Sequence, residues 1–350
     1  MSYNFIGNTR FSLYEPNSSS WRVTRQNKSR GGNGESYRAS LFDKRRLEQR
    51  AHIFFDISLP ILDSASKDVN LVHVVSYSEE LPAKYKRQLE RAASEFPWLK
   101  LDLRTSQNRK GLSLVNYGAE VFGDGEVFGV YRLDDDDILA PTFFRQCSQY
   151  LKPEFGGMVV TLAKGIQAFY SDGRFYGPRI EYRPKIALGL LKICVTDSEG
   201  RVVQPKPVAH PRTDEKNPVI LDAREVSYVH TMHLSQDSGV DKPSDDLGKR
   251  YRNYRQLPKA SAADISVFPA LNFELDDFPI SRSQAAVRTH FNQTSLTGLA
   301  KDVNRVVRRR LWLIWHRFFN QFAVRFVLSR SIRLSLSLIH ISEPTRLLSI

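Results

Sequence analysis

The amino-acid sequence predicts an α/β fold, in which helices cover both faces of a mainly parallel sheet. Apolar runs of strand length alternate with segments of helical apolar spacing between residues 4 and 151, an order typical of βαβ units. The run Val127–Leu133 ends in four consecutive aspartates, Asp134–Asp137. Ligands bind at the carboxyl ends of the strands in such sheets, so this acidic tetrad is the first candidate site.

The predicted elements follow the chain in the order that such a sheet needs. A short strand lies around residues 4–14, and the Ser-, Gly-, Asn- and Arg-rich residues 17–36 are typical of a flexible loop. After Tyr176 the pattern loosens, with Pro- and charge-rich stretches at residues 204–218 and 237–258. Between these limits the sequence predicts a helix over 41–59 that stops at Pro60, a strand over 69–77, a helix over 82–93, a strand over 98–103, a helix over 113–122, a strand over 127–133, a helix over 141–151, and strands over 158–162 and 167–170.

The chain is predicted to divide into four parts. Residues 1–240 form the main α/β domain, and residues 241–300, rich in Pro and charge, an irregular region or linker. Residues 301–335 are predicted to form a basic amphipathic helix, in which Trp and Phe are interleaved with Arg. Such a helix suits either an anionic membrane surface or packing on the main domain. Residues 336–350 resemble the translation of a sequencing adapter, so we expect them to be non-native and the sequence to be of metagenomic origin.

Charge and cysteine content exclude several classes of protein. The net charge of +13 resides in the two ends of the chain, while the middle is close to neutral; a nucleic-acid enzyme usually carries its basic patch on the folded body. The two cysteines lack zinc-ligand spacing and predict no disulfide framework. With no signal peptide or spanning segment in the sequence, we expect a cytoplasmic protein, with residues 301–335 as a peripheral contact to the inner face of the membrane.

Four adjacent carboxylates repel one another unless a positive charge neutralises them. A divalent cation such as Mg²⁺ or Mn²⁺ prefers oxygen ligands and would serve. A solvated acidic loop, with Asp137 capping a helix that begins near Pro141, explains the same residues. On charge alone, both interpretations stay open.

The segment Leu133–Pro141 resembles the metal-binding DxD segment of GT-A glycosyltransferases. Several further blocks occur in the order found in a bacterial family described as rhamnosyltransferases, and the similarity covers roughly residues 5–240. These blocks are Thr9-Arg10-Phe11, Leu41 to Arg50, Leu59-Pro60, Ser78 to Pro82 and Arg132 to Asp137.

The resemblance implies roles for individual residues. Asp134 and Asp136 would take the DxD roles at Mn²⁺ or Mg²⁺, with Asp137 able to substitute for either. His233 is preferred to His230 as a further metal ligand. The donor nucleotide would lie against Thr9, Arg10, Phe11, Asp134 and Asp135, although Asp135 is expected to point away from the metal.

The resemblance leaves the catalytic base open. An inverting transfer needs a base that deprotonates the acceptor hydroxyl. Asp237 is the candidate; Asp172, Glu181 and the pair Asp276/Asp277 are the alternatives.

The resemblance therefore implies a metal-dependent glycosyltransferase of the hexosyltransferase class. It would move a sugar, rhamnose by the family's name, from a nucleoside diphosphate sugar to a polysaccharide or glycolipid, with residues 241–300 on the acceptor side. Two alternatives stay open: another metal-dependent phosphate-handling enzyme (a nucleotidyltransferase or phosphoesterase), and a non-enzymatic protein that binds membrane or nucleic acid.

Overall fold

Residues 2–15, 34–234 and 245–279 are described by the computed structural model of the chain. The chain divides into two compact units, residues 1–287 and 288–350, and the described residues belong to the first. The elements are β1 (Tyr3–Arg10), α1 (Gly34–Leu41), α2 (Lys44–Ala51), a π-helical turn (His52–Ser58), α3 (Leu59–Ala65), β2 (Val69–Ser78), α4 (Ala83–Glu95), β3 (Leu99–Arg104), α5 (Leu114–Phe122), β4 (Val127–Arg132), β5 (Ile138–Leu139), α6 (Phe143–Ser148), β6 (Val159–Leu162), β7 (Lys164–Ser171), β8 (Arg174–Tyr182), β9 (Leu191–Thr196), β10 (Val202–Val203), β11 (Val219–Asp222), β12 (Tyr228–Met232), α7 (Asp245–Arg255), α8 (Ala262–Ile265) and β13 (Phe273–Glu274), with short 3₁₀ turns at Pro153–Phe155 and His210–Glu215.

The first sheet has the strand order β11-β6-β9-β4-β1-β2-β3, with β10 paired to β9. β1 runs parallel to β2 and β4, and β2 runs parallel to β3. β9 is antiparallel to both β4 and β6. The predicted mainly parallel α/β sheet is therefore confirmed.

Helices cover both faces of this sheet because successive strand residues point to opposite sides. Phe5 packs in the large core with apolar residues of α2, α3 and α4. Its neighbour Ile6 packs on the other face with apolar residues of α5. The helix α5 begins at Ser113, whose side chain accepts the amide of Asn116, and ends at Gly123, whose φ of 95° few other residues tolerate. The caps of α5 and the alternation of side chains along β1 thus agree with an architecture in which helices cover both faces of the sheet.

A second sheet, with the order β13-β8-β7-β12-β5, continues from the first. The sequence pattern loosens after Tyr176, yet the structure has regular strands there, since β8 to β13 all lie beyond it or include it. Several of these strands have only two to six residues, and the register of β8 with β7 shifts between Gln167 and Phe169. Such strands depend on pairing with distant neighbours more than on local composition.

The predicted helix stop at Pro60 is also wrong, since the helical path runs on to Ala65. α2 starts at Asp43, whose side chain accepts the amide of Arg46. The π-helical turn leads without a break into α3, whose first turn contains Pro60.

Other predictions fall partly or wholly outside the described residues. Residues 34–36, at the end of the predicted loop, belong to α1, and the rest of that loop lies outside. Of the predicted irregular region, residues 245–279 hold two helices and a short strand. The predicted helix 301–335 and the adapter-like residues 336–350 also lie outside. No helix in the described part of the chain has the length and apolar character to cross a bilayer.

Candidate active site

The acidic tetrad leaves β4 at the carboxyl edge of the first sheet and leads directly into β5 of the second. The amide of Leu133 donates to the carbonyl of Asn8 at 3.0 Å, which ties the segment to the end of β1. Only Asp134 is appreciably exposed, at 32% of its side chain; the next three aspartates are buried. The interpretation as a solvated loop is therefore wrong. The proposed cap is wrong too, because β5 intervenes and Thr142 is the N-cap of α6.

Asp135 points into a buried polar cluster behind the sheet edge. Its Oδ2 accepts the backbone amide of Ser12 at 2.9 Å and the Ser12 hydroxyl at 3.1 Å. Ser12 has a φ of 42°, a left-handed conformation that turns both of its donors toward this oxygen. Arg50 pairs with the other carboxylate oxygen, and Arg46 donates to the Ser12 hydroxyl. Burial raises the pKa of Asp135, although Arg50 opposes that effect.

Asp136 joins the tetrad to the end of β12. Its Oδ2 lies 2.7 Å from Nη2 of Arg50 and 3.1 Å from Nε2 of His233, a residue with no exposed surface. Burial by itself would raise the pKa of Asp136. Arg50 and the hydrogen bond from His233 outweigh it, so the pKa lies well below its usual range. Asp136 is therefore an anion at neutral pH.

Asp137 is held by the second sheet and by the helical layer. Its Oδ1 accepts the backbone amide of Thr231 at 3.0 Å, and its carbonyl accepts the Ser58 hydroxyl at 2.7 Å. The Thr231 hydroxyl bonds the preceding carbonyl of Asp136. Burial raises the pKa of Asp137 well above its usual range, despite the nearby His230.

The outer rim of the tetrad is positively charged. Asp134 accepts two bonds from Arg132, from Nε at 2.9 Å and from Nη2 at 2.6 Å. Burial and the neighbouring Arg132 lower the pKa of Arg10 to about 10, which Asp134 partly offsets. Two guanidinium groups thus lie near the exposed aspartate, where they can attract an anionic ligand.

Of the predicted nucleotide-binding triplet, only Arg10 faces the tetrad. The Thr9 hydroxyl is fully buried against His73, and Phe11 is fully buried against Phe54. Contacts of Thr9 and Phe11 with a nucleotide would therefore need their backbone atoms. The role predicted for this triplet stays a prediction.

The predicted bases are dispersed. Asp237 lies outside the described residues and stays a prediction. Asp172 is exposed in the turn between β7 and β8. Asp277 pairs with Arg179 and Arg255. Glu181, on β8, accepts a hydrogen bond from His230 beside the tetrad.

Sequence reasoning assigned no role to Arg46 and Arg50, which are one helical turn apart on α2. Their i, i+4 spacing inside a basic block was the only local signal, because the acidic partner Asp135 is 85 residues away. A second missed cluster joins the ends of β2 and β3, where Asp102 accepts Ser76 Oγ at 3.0 Å and Arg104 Nε at 2.7 Å. Both clusters lie at the edge that carries the tetrad.

The four predicted metal ligands are only partly assembled. Asp136 and His233 contact each other, while Asp134 and Asp137 are engaged by other partners. Within residues 2–15, 34–234 and 245–279, no group of three or more His, Cys, Asp or Glu side chains is arranged to hold a metal ion.

The chain thus combines a mainly parallel sheet, an antiparallel strand beside β4 and an acidic segment that follows β4. The chain belongs to the family described as "Putative rhamnosyl transferase", whose model matches residues 4–245. The resemblance noted from the sequence is thus confirmed, and the protein is a glycosyltransferase.

Two similarities to solved structures are weak. TarS of S. aureus (residues 1–349, in complex with UDP-GlcNAc) is 11% identical, with a TM-score of 0.32, over 87% of this chain and 79% of TarS. The inositol-1-phosphate CTP transferase of T. maritima is 10% identical, with a TM-score of 0.30, over 74% of this chain and 99% of that one. Scores this low do not establish a relationship. No curated protein matches the sequence.

Proposed function

We propose that the protein transfers a sugar from a nucleoside diphosphate sugar to a polysaccharide or glycolipid acceptor, with the help of a divalent cation. Rhamnose is the first sugar to test, because the family is named for it. The observation that carries the proposal is the contact between Asp136 and His233, 97 residues apart in the chain and 3.1 Å apart in the fold.

These two side chains fit a Mg²⁺ or Mn²⁺ site of the kind that the substrate completes. Such ions are commonly bound through one or two carboxylates together with substrate phosphates and water, so a cage of three protein ligands is not required. Asp136 supplies an anionic oxygen and His233 a ring nitrogen. A cation bound there would neutralise charge that develops on the departing diphosphate.

Arg50 supports this assignment through charge balance. Its guanidinium contacts both Asp135 and Asp136, and burial makes these contacts strong. The pKa of Asp136 stays low as a result, so no proton competes for its oxygens near neutral pH. If a metal ion is coordinated by Asp136, Asp135 can still hold Arg50 in place through its own ion pair.

The rim residues Arg10 and Arg132 suit the phosphates of the donor. A diphosphate carries more negative charge than one cation balances, and guanidinium groups recognise phosphate oxygens in bidentate geometry. The two arginines flank Asp134, the one exposed member of the tetrad. The diphosphate would therefore lie between the metal and this basic rim.

The test is a thermal-unfolding screen with UDP-glucose, UDP-N-acetylglucosamine, GDP-mannose and dTDP-rhamnose, each with and without Mn²⁺. We expect at least one donor to raise the melting temperature only when Mn²⁺ is present, because a ligand that binds the native state stabilises it. Asp136→Asn should abolish the metal-dependent part of the shift. Asp214→Asn, which removes an exposed aspartate paired with Lys185, is the matched control and should retain it.

Product analysis separates the alternatives. Release of nucleoside diphosphate identifies glycosyl transfer, whereas release of pyrophosphate from a nucleoside triphosphate would identify a nucleotidyltransferase. A full, metal-dependent turnover by Asp136→Asn would contradict the assigned metal site. Donor binding that is unchanged by removing all divalent cations would contradict metal dependence.

A further inference from the structure

A histidine–carboxylate pair, His230 and Glu181, lies on the second sheet beside the tetrad. His230 of β12 places Nδ1 3.0 Å from Oε2 of Glu181 of β8. The two side chains are 17% and 11% exposed, so the pair is largely buried but not sealed. Arg183 lies 3.3 Å from the other oxygen of Glu181. Within the described part of the chain, no hydrogen bond to Nε2 of His230 is found.

The strand register brings this pair to the tetrad. β5 follows the tetrad at once and pairs antiparallel with β12, so that Val229 faces Ile138. His230 and Asp137 are the next residues after this pair, and the charge of Asp137 acts on His230. The bond from the Thr231 amide to Asp137 confirms that the segments stay together at this point.

His230 and Glu181 lie on the face of the sheet opposite Val229 and Ile180, which point to an apolar cluster. Gln167 of β7 lies across from His230 in the register, on the same face. Two residues further along β12 and β7, this face carries Met232 and Phe169, which are buried against Tyr254. The polar patch therefore consists of the three side chains of His230, Glu181 and Gln167, which are suited to bonding an acceptor hydroxyl.

We propose that His230, oriented by Glu181, is the general base that deprotonates the acceptor hydroxyl. The inference deepens the proposed function and rests on it. Nδ1 lies closer to Glu181, at 3.0 Å, than to the amide nitrogen of Gln167, at 3.5 Å, so we assign its proton to the bond with Glu181. The lone pair on Nε2 is then left to take the acceptor proton. The acceptor oxygen then bonds to the anomeric carbon of the sugar as the bond from that carbon to the diphosphate oxygen breaks. The electron pair leaves with the nucleoside diphosphate, and the proton passes from His230 to water.

The charged groups around His230 suit this role. Burial would lower the pKa of His230, but the hydrogen bond and charge of Glu181, together with Asp137, raise it, and Arg183 opposes them. The pKa of Glu181 is lowered, since His230 and Arg183 overcome the effect of burial. Glu181 thus stays anionic and holds the ring in one orientation, as the third member of a catalytic triad does.

The other carboxylates are less suited to proton abstraction. Asp135 and Asp136 are bound by Arg50. Asp137 has a raised pKa and accepts a backbone amide. Asp277 is bound by two arginines.

The first experiment compares His230→Gln with the wild type, using dTDP-rhamnose, UDP-glucose and UDP-N-acetylglucosamine as donors and water or octyl glycosides as acceptors. We expect kcat for release of nucleoside diphosphate to fall about 10²- to 10⁴-fold, the usual contribution of a general base. Donor affinity, measured by calorimetry with Mn²⁺, should change less than about twofold because His230 does not bind the diphosphate. His52→Gln removes an exposed histidine paired with Asp56 and is the matched control.

The second experiment tests Glu181 as a positioning residue. Glu181→Gln removes the charge that raises the pKa of His230, so the acid limb of the kcat/KM profile should move to lower pH. A role in folding alone would lower the melting temperature without moving this limb. If His230→Gln fails to fold, the Glu181→Gln profile decides the matter.

The outcomes distinguish this inference from the proposal on which it rests. A wild type that releases no nucleoside diphosphate from any of the three donors would overturn the proposed function. A wild type that transfers sugar, with unchanged kcat in a folded His230→Gln variant, would overturn the general base alone. An unshifted acid limb in Glu181→Gln would remove the orienting role.

Discussion

The Thr9 hydroxyl lies 2.9 Å from Nε2 of His73, and neither residue has any exposed surface. On the other side of the ring, Nδ1 lies 2.9 Å from the hydroxyl of Tyr131. One imidazole thus joins β1, β2 and β4 behind the edge that carries the tetrad. Since each ring nitrogen already has a hydroxyl partner, a neutral ring satisfies both contacts, whereas a second ring proton would bring a buried charge.

The first prediction is that His73 makes the fold sensitive to mild acid. Burial lowers the pKa of His73 to about 3, from 6.5. Below pH 6.5 His73 is therefore protonated in the unfolded chain but stays neutral in the native state. The free energy of unfolding falls as the pH drops from 6.5 toward 3. Between pH 7 and pH 5 this one group should cost about 2 kcal/mol.

Urea unfolding at both pH values measures the effect in wild type and in His73→Gln. The difference between the two proteins isolates His73, because the other titrating groups are common to both. His52→Gln, at an exposed histidine, should keep the wild-type pH dependence. An equal loss of stability in wild type and His73→Gln would show that the ring is not held neutral.

The second prediction concerns Gly7, which faces this network on β1. A Cβ atom there would lie 2.2 Å from Nδ1 of His73 and 2.4 Å from the Tyr131 ring. Both rings are buried and hydrogen-bonded, so neither can move without losing a hydrogen bond and packing contacts. Gly7→Ala should lower the free energy of unfolding by about 1–3 kcal/mol.

Gly156→Ala is a useful comparison for that measurement. Its added Cβ would meet a methyl group of Val195 at 2.7 Å, at a half-buried position. A smaller loss than at Gly7 is expected, because the surface there can adjust. Equal losses in the two variants would show that the hydrogen-bonded rings are not the cause.

The third prediction is that Arg50 stabilises the fold far more than a surface arginine does. Its side chain is 7% exposed and contacts Asp135 and Asp136. Arg50→Met leaves two buried carboxylates without this partner and should cost about 3–5 kcal/mol. Arg145→Met removes an exposed pair with Glu225 and should cost less than about 1 kcal/mol. Chemical denaturation of both variants measures the two losses in free energy of unfolding. Similar losses would contradict the role of Arg50 as the counter-ion of the tetrad.

The tetrad and its strand were predictable because their signal is local. An apolar run followed by charge shows within ten residues that β4 ends just before the tetrad, and alternation with helices predicts that the neighbouring strands are parallel. The contact of His233 with the tetrad was anticipated through the family resemblance rather than through any pattern around it. Burial of Asp135 could not be anticipated, because it depends on a left-handed Ser12 and on an arginine 85 residues away.

The second sheet was missed for a related physical reason. A two-residue strand such as β5 has no periodicity of its own, and it exists because β12 pairs with it. The proximity of His230 and Asp137 follows from this pairing and is invisible in the sequence, where they are 93 positions apart. Positions set by register between distant segments are the part of the site that the fold alone reveals.

The fourth prediction is that the aspartates of the tetrad have different roles, with Asp135 needed for stability and Asp136 for turnover. Asp135 is 3% exposed and bound to Arg50 and Ser12, so Asp135→Asn should lower stability by about 3 kcal/mol, the range of a broken buried ion pair. Asp136→Asn, like Asp135→Asn, leaves Arg50 with one carboxylate partner, so it too should lower stability. Its loss of Mn²⁺-dependent turnover should be larger than this loss of stability accounts for. Asp134→Asn, at the exposed rim, should change stability least. Melting temperature and turnover with a nucleotide sugar are measured on all three proteins. If Asp135→Asn were as stable as wild type, or if Asp136→Asn lost stability and turnover in parallel, the tetrad would not divide in this way.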